Sequence, residues 1–255
     1  MTYDVAGPDG APAIVFVHGT RLTRAAWSPQ MDALAGEFRT IAVDLPGHGE
    51  RAGETFTLAG AAETVGDAID EAGGGRAIVV GLSLGGYVAM DLAARSPERV
   101  RGLVLAGATA EPLGLGRAPY LALAWVMARF AGPHLEALNR WFFRTRFPPA
   151  ISGPIIAAGF WPAGGAAALR ALSGERFRPR LAAYPGPTVI LNGEFDLPFR
   201  LSAGSFARVA RDPHRVLLKG ASHLTNLDRP AVSDLRPWRD RTANSHGARR
   251  HTTKV

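Results

Sequence analysis

The stretch 77–96, AIVVGLSLGGYVAMDLAARS, reads as a strand, a sharp turn and a helix in immediate succession. Ala77, Ile78, Val79 and Val80 are a short apolar, β-branched run of the length of a buried strand, and the residues from Leu84 onward carry apolar side chains at helical spacing. Between them stands the G-x-S-x-G pentapeptide Gly81-Leu82-Ser83-Leu84-Gly85. Alone it is a weak signal. Between a strand and a helix it is specific, because the turn strains the serine and needs small residues on both sides. Such a turn exposes the Ser83 hydroxyl above a sheet, at a helix amino end whose free N–H groups favour negative charge. The competing reading is a serine that merely caps a helix. Gly81, Gly85 and Gly86 argue against it.

Outward from this stretch the same rhythm repeats. Short β-branched runs at 13–17, 40–43, 102–105, 188–191 and 215–218 read as further buried strands, and helical patterns occupy about 23–37, 57–72, 84–96 and 199–209. Strands alternating with helices specify an α/β fold: a mainly parallel central sheet with helices on both faces. In such sheets ligands sit at the carboxyl ends of the strands. Two segments break the rhythm. From 109 to 186 the strands stop and apolar helical pieces take over, at 120–130, 135–147, 155–160 and 166–172; this reads as a helical lid and return helix between core segments 1–108 and 187–235. Beyond Ala231, Val232 and Leu235, Pro237 stops any helix near Arg236, and 236–255 reads as a basic, disordered tail with an abrupt change of composition.

Composition bounds the chemistry. The chain has 255 residues, 47% hydrophobic and 20% charged, enough for one sizeable core. With no cysteine, disulfides, thiolate nucleophiles and Cys-ligated metals are excluded together. The net charge of +7 invites a nucleic-acid reading. However, Arg236, Arg239, Arg241, Arg249, Arg250 and Lys254 against Asp240 place five of those seven charges in 235–255. A nucleic-acid groove spreads its cations over a folded face, so no nucleic-acid partner is expected. No apolar run reaches the ~18 residues of a membrane span, and the first ten residues lack a signal-peptide pattern. A cytoplasmic protein without a membrane partner is the expectation.

A serine hydroxyl needs a base, and the base needs an orienting group. Strand direction sorts the histidines. His214 precedes the strand at 215–218 and lies at the wrong edge; His134 belongs to the lid, and His246 and His251 to the tail. His223 follows the strand in the loop GASH, at the correct edge. His18 and His48 also follow strands and remain competitors, but each sits in a Gly-bearing turn where loop bracing is the plainer role. For the carboxylate, Asp196 in the loop GEFDLP is preferred to Glu194 beside it and to Asp44, which heads a Pro-Gly turn.

On PAIVFVHGT, IAVDLPGHG, VVGLSLGGYVAMDLA, RVRGLVLAGA, VILNGEFD and GASH, in this order from Ala11 to about Asp234, the chain resembles the small Ser-His-Asp members of the α/β-hydrolase fold family. The resemblance implies a catalytic triad of Ser83, Asp196 and His223, with the N–H groups of Thr20 and Leu84 as oxyanion hole. It implies no metal and no organic cofactor. Where PGHG in relatives continues to a serine, this chain has Glu50. The expected activity is hydrolysis of a small apolar carboxylic ester or lactone through an acyl-enzyme. Carbon–carbon bond hydrolysis, cofactor-free perhydrolysis of the haloperoxidase kind and acyl transfer share the triad, and a non-catalytic ligand receptor on the same fold is the rival from another class. The lid carries Trp125, Met127, Phe130, Trp141, Phe142, Phe143, Phe160 and Trp161. Of these, Trp125, Phe130, Trp141 and Phe142 are the expected substrate-binding residues, against the plainer expectation that lid aromatics pack on the body. The motifs leave the oligomeric state open.

Overall fold

The computed structural model describes residues 2–230. Met1, the helical spacing at 231–235 and the expected tail at 236–255 lie outside the described residues. The strands are β1 (Tyr3–Ala6), β2 (Ala13–Val17), β3 (Arg39–Val43), β4 (Ala77–Leu82), β5 (Val100–Ala106), β6 (Pro187–Gly193) and β7 (Asp212–Leu218). The helices are α1 (Ser28–Leu34), α2 (Leu58–Ala72), α3 (Leu84–Arg95), α4 (Ala118–Arg129), α5 (Pro133–Arg146), α6 (Pro149–Ala158), α7 (Pro162–Leu172), α8 (Phe177–Ala183), α9 (Leu197–Ala207) and α10 (Thr225–Asp228). All seven strands form one sheet in the order β1-β3-β2-β4-β5-β6-β7, parallel throughout except for the antiparallel edge strand β1.

The middle of the sheet is buried on both sides: β2 and β4 are buried at every position, not at alternate ones, while the edge strands β1 and β7 are largely exposed or half-buried. Strand residues point alternately to opposite faces. Val15, Val17, Ile41, Val79, Leu103 and Ile190 therefore join a core with α2, α3, α8 and α9. Ile14, Phe16, Ala42, Ile78, Val104 and Val189 join a second core with α1, α5 and α6.

Local chemistry sets the element ends. The Thr57 hydroxyl accepts from Gly60 N–H at 3.0 Å and starts α2. The helix expected at 23–37 divides into a 3-10 turn at Arg24–Trp27 and then α1. Pro29 opens α1 and has no N–H with which to continue an α-helical ladder from the turn before it. The piece expected at 155–160 starts earlier and ends at Ala158, where Gly159 turns left-handed at φ 77°. The short helix α8 has no counterpart in the sequence expectations.

The register pairs Val17 with Gly81, Gly81 with Leu105, Ala106 with Leu191 and Gly193 with Leu218. The carboxyl ends thus form one edge. After β2 the chain builds outward to β3, then crosses to the other side of β2 for β4, making a switch point where loops diverge and leave a crevice. Between β5 and β6, α4 to α8 are inserted with no strand among them.

Candidate active site

Ser83 joins β4 to α3 with φ 51° and ψ −113°, far from any comfortable conformation for an L-residue. Strain of this kind costs about 1–3 kcal/mol and persists only when the surroundings enforce it. Here Ser83 N–H donates to Ala106 O at 2.7 Å, and Gly86 N–H donates to Ser83 O at 2.9 Å. A Cβ on Gly81 would meet the backbone of Gly85, and one on Gly85 would meet Val17 O. The turn is therefore closed to larger residues. The Ser83 side chain makes no capping bond to α3; the plain helix-cap reading does not hold.

His223 stands in the loop after β7, with Nδ1 2.9 Å from Asp196 Oδ2. Asp196 follows β6 and is only 5% exposed. With Nδ1–H assigned as donor to the carboxylate, Nε2 is left with its lone pair. Phe199 stacks on the imidazole at 4.8 Å between centroids. Gly107, at φ 57° after β5, leaves the room this pair needs: a Cβ there would stand 2.9 Å from the ring and 3.0 Å from the carboxylate. The His223 loop is held in turn by α10. Asp228 Oδ2 accepts from Ser222 N–H and Oγ–H, both at 2.6 Å, and Asp228 is paired with Arg146 at the end of α5.

The competitors have other work. His18 is fully buried; its Nε2 accepts from Leu45 N–H at 3.0 Å and its Nδ1 donates to Gly19 O at 2.9 Å. Burial pushes its pKa down to about 4. His48, also buried, donates from Nδ1 to Pro46 O at 3.1 Å, and burial followed by the neighbouring His18 lowers its pKa to about 3. Both are neutral braces of the HGT and PGHG loops. Asp44 accepts from Arg24 N–H and Glu50 N–H and pairs with the Arg24 guanidinium. Glu50, standing where relatives carry serine, also binds Arg24. Glu194 accepts from Gly220 N–H at 2.8 Å and braces the β7 loop.

Ser83 and His223 line one cavity of about 560 Å³ at the carboxyl edge. Thr20 lines it too. Leu84 buries its side chain in the core; as first residue of α3, its N–H belongs to the turn that has no intrahelical acceptor. The rest of the wall is mostly apolar: Leu22, Tyr120, Leu123, Met127, Phe143, Leu169 and Phe199, with Arg21 and Glu111 as charged exceptions.

The four aromatics expected to bind substrate do not line this cavity. Trp125, Phe130, Trp141 and Phe142 are 60%, 54%, 62% and 38% exposed. Helical geometry is the reason: each residue turns about 100°. Tyr120, Leu123 and Met127 share one face of α4, and Trp125, two residues from both Leu123 and Met127, faces the other way. On α5 Phe143 points inward and is fully buried, and Trp141 stands two residues off that face. The sequence does not single out Tyr120, Leu169, Phe199 or Arg21. Arg21 alone leaves a local signal, as a charge directly after the HGT loop. Among the described residues no group of His, Asp and Glu could hold a metal ion, and no single helix is long and apolar enough to cross a membrane.

A buried parallel sheet with a strained serine turn at its switch point defines an α/β hydrolase architecture. Residues 14–233 match the model of the alpha/beta hydrolase family, and the chain belongs to that family. It is 29% identical over 239 residues to 3-oxoadipate enol-lactonase 1 of Acinetobacter baylyi, covering 90% of this chain and 88% of the relative. It is 35% identical over 136 residues to a pimeloyl-[acyl-carrier protein] methyl ester esterase of Nitrosomonas europaea, about half of each chain. Among solved structures, a thermophilic esterase from Thermogutta terrifontis superposes with a TM-score of 0.76 at 25% identity, over 96% of this chain and 93% of that one.

Proposed function

We propose that this protein hydrolyses a carboxylic ester or lactone through an acyl-enzyme on Ser83. One observation carries the reading: a strained serine at a helix amino end shares a cavity with His223, whose other ring nitrogen is held by the buried Asp196. Ser83 Oγ attacks the substrate carbonyl while His223 Nε2 takes its proton. Asp196 holds the imidazole and stabilises its charged form. The carbonyl oxygen, now negative, is received by the N–H groups of Thr20 and Leu84, each such donor being worth about 10²- to 10³-fold in rate. His223 returns the proton to the leaving alkoxide oxygen. Water then enters, gives a proton to His223 and attacks the acyl carbon; the bond to Ser83 Oγ breaks as His223 returns that proton to Oγ, and the acid is freed. The enol-lactonase and methyl esterase relatives act on substrates of this bond type by name, and the apolar wall suits an acyl chain of modest size. Helices α4 and α5 form the lid over it.

The test is the turnover of short p-nitrophenyl esters with Ser83 labelling by a fluorophosphonate. Ser83→Ala and His223→Ala, folded by circular dichroism, should each lose about 10⁴-fold or more in kcat. Turnover that survives Ser83→Ala would overturn the reading.

A further inference from the structure

Arg21 lies on the wall of the reaction cavity, next in the chain to Thr20. It and Ser83 are the two non-glycine residues with positive φ among the described residues, at 61° and 51°. A left-handed arginine costs about 1–2 kcal/mol. It is held there in part by its own carbonyl, which accepts from Trp161 N–H at 3.0 Å at the entrance to α7. Several other partly buried arginines of this protein have counter-charges. Arg24 meets Asp4, Asp44 and Glu50; Arg180 meets Asp91 and Glu175; Arg39 meets Asp9. The Arg21 guanidinium has no hydrogen-bond or ion-pair partner among the described residues, and burial alone lowers its pKa. The carboxylate of the cavity wall, Glu111, makes its bonds elsewhere: its Oε1 accepts from Phe177 N–H, Arg178 N–H and Arg178 Nε–H at 3.1, 2.5 and 3.3 Å, and its Oε2 is buried without a partner, Arg21 included.

An unpaired cation in an apolar cavity is unfavourable when a neutral molecule displaces its water, and strongly favourable when the arriving molecule brings the opposite charge. A guanidinium offers its donors as a planar fork that fits a carboxylate with two parallel bonds. We propose that Arg21 is a specificity-determining residue that receives a carboxylate on the substrate, so that the preferred class is half-esters of short dicarboxylic acids, or lactones bearing a carboxylate, over neutral esters. The proposal rests on the hydrolase reading above and names its substrate class. Because Arg21 adjoins Thr20, the carboxylate and the scissile carbonyl are separated by a short aliphatic spacer, which the apolar wall accommodates.

The test compares kcat/KM for the monoethyl and diethyl esters of succinate, glutarate and adipate. The wild type should favour at least one half-ester over its diester by about 10²-fold, the scale of a desolvated arginine–carboxylate pair. Arg21→Gln should collapse that ratio toward unity through KM, and Arg21→Lys should restore part of it. A wild type that favours the diesters, or a ratio that Arg21→Gln leaves in place, overturns the proposal. Against a failure of the variant to fold, competitive inhibition of the wild type by glutarate should exceed that by the uncharged glutaramide by a similar factor; equal inhibition overturns the proposal. Should no ester be turned over, the hydrolase reading fails by itself, and calorimetric binding of glutarate to wild type against Arg21→Gln still decides the role of Arg21.

Discussion

Ser83, Gly107 and Arg21 stand in the left-handed region for different reasons. Gly107 does so at little cost, and its missing Cβ is what lets His223 and Asp196 meet. Gly107→Ala should therefore destabilise the protein by about 1–3 kcal/mol and lower kcat at least tenfold. Esterase kinetics and thermal unfolding on one preparation check this; a stability loss with intact kcat would disconnect Gly107 from the histidine. Asp196→Asn should leave the carboxyl geometry largely in place and remove its charge, so that the histidine loses its tautomer control and kcat falls by about 10⁴-fold. Its measured melting temperature should change little by comparison. The sequence displayed Ser83, Asp196 and His223 through their places after strands. It did not display Gly107, because a glycine after a strand looks the same whether it yields space to a histidine or only turns the chain.

On helices α4 and α5, neighbouring aromatics have opposite fates. Phe143 is fully buried and on the cavity wall; Trp141, two residues earlier, is 62% exposed. Phe143→Ala should cost about 3–5 kcal/mol and shift chain-length preference toward bulkier acyl groups. Trp141→Ser should stay within about 0.5 kcal/mol and alter short-ester kinetics less than twofold. Urea titration and a C2 to C8 ester series measure both. Aromatic residue types alone did not reveal which face turned inward, because α4 and α5 carry large apolar residues around much of their circumference. The inserted helices also reach the His223 loop. Arg146 at the end of α5 holds Asp228, and Asp228 holds Ser222 beside His223. Removing the buried Asp228 carboxylate leaves the Ser222 donors and Arg146 without their acceptor, so Asp228→Ala should lower kcat more than Arg146→Met does, a ranking that steady-state kinetics on the two variants decides.

For the molecule as a whole, His18 and His48 couple stability to pH. Unfolded, both titrate near 6.5; folded, burial lowers them to about 4 and about 3. Between those values the unfolded chain binds more protons, so the stability present above pH 6.5 is lost as pH falls. The loss is about 1.4 kcal/mol per pH unit for each histidine. Unfolding by urea at pH 7.5 and pH 5.0 should differ by about 3–4 kcal/mol, and His48→Asn should remove close to half of that difference. The sequence by itself determined the parallel α/β layering and the strand edge on which Ser83, Asp196 and His223 stand, because strand period, glycine pattern and chain direction are local properties. Only the tertiary structure decided which side chains wall the cavity, that burial keeps His18 and His48 neutral, and that Arg21 stands there without a counter-charge. Those outcomes depend on which faces of distant elements meet and on how much water their meeting excludes, and no single stretch of the chain carries either.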